Sequence, residues 1–119
     1  MLKLDPIKQD LPSRKDSLIE IGESLDIPDL KSQSEELNKE TLKDGFWNDT
    51  EAAQKVLQKK KALDDKIKAY EELLSEFGDM EEMIELCEDM EEEGETEEAE
   101  AEADEIIKGF ESLKKKLAE

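Results

Sequence analysis

Apolar residues recur along the chain at three- and four-residue steps, the spacing that places them on one face of an α-helix. The pattern is plainest over Ala53, Val56, Leu63, Ile67, Tyr70, Leu74 and Phe77, where only Lys60 breaks the seam. Asn48 followed by Glu51 has the spacing of a capping box that opens this helix, and Gly78 marks its expected end. A helix over 49–77 would be about 43 Å long. That length predicts an elongated, coiled-coil-like arm rather than a globular bundle. A second stripe, Ala99, Ala103, Ile106, Phe110, Leu113 and Leu117, steps by four and three and should face the first. Between them Met80, Met83, Ile84, Cys87 and Met90 predict a short amphipathic helix that ends near Gly94.

The first half follows the same rule. Leu4, Ile7, Leu11, Leu18, Ile21 and Leu25 make one stripe, and Ile27, Leu30, Ser34 and Leu37 another. Asp26 is placed to cap the second helix, with Pro28 in the first turn, where a missing N–H costs nothing. Pro12 predicts a short first turn from Pro6 and then a kink. The expected fold is all-α, a single domain over 1–119, built as an antiparallel helical arm of about four to five helices. Their expected ranges are 6–24, 28–42, 49–77, 79–93 and 96–118, with an aromatic linker over 43–48. Phe46 and Trp47 in that linker are read as a structural anchor folding back on the bundle.

Composition narrows the chemistry. The 119 residues include no His and one Cys, which excludes a Ser-His-Asp or Cys-His triad and any disulfide within the chain. No calcium-loop series occurs, and carboxylate pairs such as Glu81 and Glu85 have no partner to drive their pKa values apart. The expectation is therefore no enzyme, no cofactor, no metal and no small-molecule substrate. No apolar run approaches the roughly 20 residues of a membrane span, and Met1 to Asp10 lacks a signal-peptide core, so a cytoplasmic location is expected.

The net charge of -19 is unevenly spread. Residues 79–105 hold 16 acidic side chains and no Lys or Arg, leaving 17 positive against 20 negative charges elsewhere. The acidic sector reads first as a solvated face, and otherwise as a docking surface for a basic protein or a screen against RNA. Lys55, Lys59, Lys60, Lys61, Lys66 and Lys68 form the candidate contact with a phosphate backbone, although Asp64, Asp65, Glu71 and Glu72 lie close enough in sequence to pair with several of them. Cys87, on an apolar face among acidic neighbours, reads as an inert core residue.

The run Phe46-Trp47-Asn48-Asp49, followed by Ala52, Ala53, Gln54 and Lys55 and preceded by Leu25-Asp26-Ile27-Pro28 and Leu37, resembles the N-terminal domain of the bacterial peptide chain release factor 2 family. Where that family commonly has Pro before Asp and the aromatics, this chain has Lys43-Asp44-Gly45. The resemblance implies a domain of a translation termination factor that, in full length, reads UGA and UAA stop codons and promotes peptidyl-tRNA hydrolysis on the ribosome. The family's codon-reading Ser-Pro-Phe and catalytic Gly-Gly-Gln motifs do not occur here. It further implies a ribosome-contacting module directed to the stalk base of the large subunit, with a translational GTPase as another partner. Self-association of the isolated domain is left open. The rival reading is a free-standing acidic coiled-coil adaptor or chaperone-like protein.

Overall fold

A computed structural model describes residues 1–118, which form four α-helices and two short 3-10 turns, with no strand among the described residues. After a turn at Leu2–Leu4, α1 spans Asp5–Leu25, α2 Ile27–Thr41, α3 Thr50–Glu92 and α4 Thr96–Ala118; a turn at Phe46–Asn48 lies between α2 and α3.

Three expected boundaries change. The predicted break at Gly78 is absent, and the ranges 49–77 and 79–93 merge into α3. Gly78 does not have positive φ and a Cβ there would meet nothing, so it keeps ordinary helical geometry. An interior Gly costs about 1 kcal/mol relative to Ala, which burial of its neighbours Phe77 and Met80 outweighs. The helix does stop at Gly94, with φ 85: Gly94 N–H donates to the Glu91 carbonyl and Glu95 N–H to that of Met90, the pair of bonds of a Schellman ending. At the other end of α3 the cap is Asp49, not Asn48. Its carboxylate accepts from Ala52 N–H at 3.1 Å, while Asn48 belongs to the preceding turn. Pro12 lies inside a helix that starts at Asp5, and the carbonyl it leaves without a donor is that of exposed Lys8.

Where one domain is expected over 1–119, the chain divides into two compact units, one of Met1–Glu20 with Glu72–Glu119 and one of Ile21–Glu71. In the first, Leu4, Ile7 and Leu18 of the N-terminal segment are buried, as are Phe77, Met80, Ile84 and Cys87 of α3 and Ala99, Ala103, Ile106, Phe110 and Leu113 of α4. The Cys87 thiol donates to the Ala99 carbonyl at 3.1 Å, an approach that the small residues of α4 permit. The N-terminal segment also carries the cations that face the acidic sector. Lys8 pairs with Glu88 at 2.8 Å, Lys3 with Glu100 and Asp104, Lys15 with Glu81, and the Met1 ammonium with Glu88 and Glu91.

The second unit has a thinner core. Ala53 and Leu63 are its buried apolar residues, flanked by half-buried Leu30, Leu37, Val56, Ile67 and Tyr70. The Tyr70 hydroxyl lies so close over Gly22 that no Cβ would fit between them. Past Tyr70 the stripe on α3 continues through Leu73 and Phe77, two uneven steps that leave Leu74 43% exposed, contrary to its expected place in the seam. The shift falls where α3 passes from one unit to the other.

Lys60 and Ser34 make a polar layer in the second unit. Asp64 accepts from the Ser34 hydroxyl and from Lys60 at 2.6 Å, and these bonds, Lys60 first, hold its carboxyl below the usual range. A polar layer of this kind fixes register at the expense of stability. Lys60→Leu is expected to raise unfolding free energy by about 1 kcal/mol, because a half-buried apolar side chain replaces a partly exposed ion pair. An unchanged or lower urea midpoint would show that the pair, rather than the seam, dominates there.

Candidate functional site

The six candidate lysines all lie on α3, and the structure separates them. Lys60 is engaged by Asp64, and Lys61 pairs with Asp65 at 2.8 Å, which raises the Lys61 pKa through that hydrogen bond and the adjacent charge. Lys68 is not free either. Lys55, Lys59 and Lys66 are exposed and make no ion pair among the described residues. At about 100° per residue these three fall within an arc of about 40°, and at 1.5 Å rise they extend over about 16 Å. Ala62 and Ala69 continue the same strip, so no carboxylate intervenes between the three lysines on it. The pairing of 60 with 64 and of 61 with 65 follows the four-residue spacing expected from sequence.

The aromatic anchor takes a different form from the one expected. Phe46 is half-buried, and its ring meets that of Trp47 edge to face with centroids 4.9 Å apart. Trp47, however, is 63% exposed, and Leu42 at the end of α2 is 76% exposed. The turn packs on α2, and the indole stays largely in solvent. Trp47→Ala should therefore cost about 1 kcal/mol, the worth of an edge-to-face contact, in place of the 3–5 kcal/mol of a buried ring. A urea titration of the variant measures this directly.

Cys87 is buried, and burial together with Glu102, Glu91, Glu88 and Glu100 pushes its thiol up, away from the reactive thiolate. Among the described residues no cluster of Cys, Asp or Glu is arranged to hold a metal ion, and no helix is long and apolar enough to cross a membrane.

Residues 30–119 match the model of the PCRF domain. The chain is similar to peptide chain release factor 2 of Clostridium perfringens strain SM101, at 33% identity over 117 residues, which is 98% of this chain and 30% of that protein. It is also similar to peptide chain release factor 2 of Petrotoga mobilis, 28% identical over 88 residues (74% of this chain, 22% of that protein), and of Borreliella burgdorferi, 33% identical over 60 residues (50% and 17%). The chain thus spans less than a third of the length of these curated relatives. No solved structure matches it. With the match covering most of α2 and the whole of α3 and α4, the chain belongs to the PCRF domain family.

Proposed function

We propose that this chain is the N-terminal, ribosome-contacting domain of a translation termination factor, and that Lys55, Lys59 and Lys66 meet ribosomal RNA. The observation that carries the reading is that these three ammonium groups share one exposed strip of α3 without carboxylate partners. Phosphate contacts draw their free energy from the release of condensed counterions, which only an unpaired cation can supply. Lys60 and Lys61, already neutralised, contribute little. In this reading the domain positions a longer factor, the stalk base of the large subunit is its destination, and a translational GTPase acts nearby. Stop-codon reading and peptidyl-tRNA hydrolysis belong to the rest of that factor.

The test is co-sedimentation of the chain with ribosomes over a range of salt. Substituting Lys55→Gln, Lys59→Gln and Lys66→Gln together should weaken binding and flatten the slope of log K against log salt by about 2–3, one phosphate contact per lysine. The same slope in the triple variant would remove these lysines from the contact. Lys61→Gln serves as the control and should change the slope little.

A further inference from the structure

Within the first unit a groove of about 310 Å³ opens between α3 and α4. Its floor is apolar: Met80, Ile106 and Leu113 lie beneath it and half-buried Met83 forms one side. On α4 the wall is low because the positions over the floor are Gly109 and Ser112. The apolar strip continues beyond the groove along α3. Leu86 and Met90 follow Met83 at three- and four-residue steps within an arc of about 60°, and Leu86 is 59% exposed.

The charge around this strip is one-sided. Asp79 and Glu105 stand on opposite rims; Asp79 has no ion-pair partner among the described residues, and Glu105 meets only Lys108 of its own helix at 3.5 Å. The carboxylates of the acidic sector that bond to another segment, Glu81, Glu88, Glu91, Glu100 and Asp104, are all taken by Met1, Lys3, Lys8 and Lys15. What the N-terminal segment leaves uncompensated includes both rims. At the far end Lys116 closes the groove by pairing with Glu76 at 2.7 Å.

We infer that this face docks a basic amphipathic helix of a protein partner, with one apolar side chain seated over Met80 and Ile106, a second against Leu86, and Lys or Arg directed at Asp79 and Glu105. Methionines suit such a groove because their unbranched, polarizable side chains adapt to whatever anchor enters. From Met83 to Met90 the strip is about 10 Å long, which matches apolar anchors at i, i+3 or i+4, and i+7 of a helix. Nucleic acid is disfavoured here, since its phosphates would meet the same carboxylates. A second copy of the chain is disfavoured likewise, because it brings an identical acidic sector. The inference does not rest on the lysine strip of the second unit.

The test uses the whole chain and a fluorescently labelled 18-residue peptide with Leu at i, i+3, i+4 and i+7 and Lys or Arg elsewhere, read by anisotropy. The control peptide has the same composition with its Leu residues dispersed around the helix. The amphipathic peptide should bind at least about tenfold more tightly than the control, by the ordinary value of one buried anchor. Leu86→Gln, at an exposed position, should weaken binding about tenfold, and Gly109→Leu, which fills the groove without altering charge, should do the same. Asp79→Asn with Glu105→Gln should flatten the salt dependence. Equal binding of both peptides, or no effect of Leu86→Gln, would reduce the face to diffuse attraction between polyelectrolytes and overturn the inference. So would a self-association, or binding of a single-stranded RNA, that Leu86→Gln abolishes. The Lys55, Lys59 and Lys66 triple variant should bind the peptide as the parent does, which keeps this result separate from the ribosomal one.

Discussion

Phe110→Ala is expected to lower unfolding free energy by about 3–5 kcal/mol, the usual cost of truncating a buried aromatic side chain. Phe110 is 4% exposed and lies on α4 between Ile106 at 0% and Leu113 at 1%, so neither neighbour is free to collapse into the space left behind. The Lys114 ammonium lies 5.2 Å from the ring centroid and loses its aromatic face in the variant. Phe110→Leu keeps most of the volume and should cost about 1–1.5 kcal/mol. Cys87 supplies a local probe in the same unit, since it is fully buried and hydrogen-bonded to Ala99. Labelling of its thiol requires the unit to open. If opening is in equilibrium with closing, the labelling rate of Phe110→Ala should rise by roughly 10²–10⁴-fold over the parent. An unchanged rate would mean that the α3–α4 core does not depend on this ring.

How much of this could be read from sequence varies along the chain. The α4 stripe was the most legible, because Ala99, Ala103, Ile106, Phe110, Leu113 and Leu117 keep steps of four and three in a highly charged helix, and all but the half-buried Leu117 are buried. Gly78 was misleading. A glycine ends a helix when the backbone needs positive φ, which Gly94 satisfies and Gly78 does not, and composition alone does not tell the two apart. Trp47 misled for a different reason: its size argues for burial only where a core exists to receive it, and the second unit buries only Ala53 and Leu63 among its apolar residues. Among the lysines the i, i+4 rule placed Asp64 against Lys60 and Asp65 against Lys61, but it equally offered Glu51 to Lys55, a pair that does not form, so spacing alone did not separate the engaged lysines from Lys55, Lys59 and Lys66. The groove at Gly109 was not visible, since it depends on two helices meeting in one register. Its one signal was the second apolar row Met83, Leu86 and Met90, offset from the core row Met80, Ile84 and Cys87.

Asp26→Val should cost about 2–3 kcal/mol, although the side chain is exposed and touches no core residue. α1 ends at Leu25 and α2 begins at Ile27, so one residue must both close the first helix and open the second. Asp26 N–H donates to the Gly22 carbonyl at 3.0 Å, as in the last turn of a helix, and its own carbonyl accepts from Leu30 N–H at 3.0 Å, as in the first. Both bonds are kept only because its backbone turns left-handed, with φ 52 and ψ 68. Asp tolerates that region better than most residues, whereas a β-branched side chain is strained there, at a cost of about 1–2 kcal/mol. The Asp26 carboxylate also accepts from Asp29 N–H, a cap worth about 1 kcal/mol that Val cannot replace. Gly separates the two effects: Asp26→Gly relieves the strain and loses the side-chain cap, so it should fall within a few tenths of a kcal/mol of the parent. Asp26→Asn keeps both features and should be neutral. Urea titrations of the three variants should therefore rank Asn and Gly together and Val well below them. Equal stability of Val and Gly would show that position 26 does not hold the left-handed turn in solution.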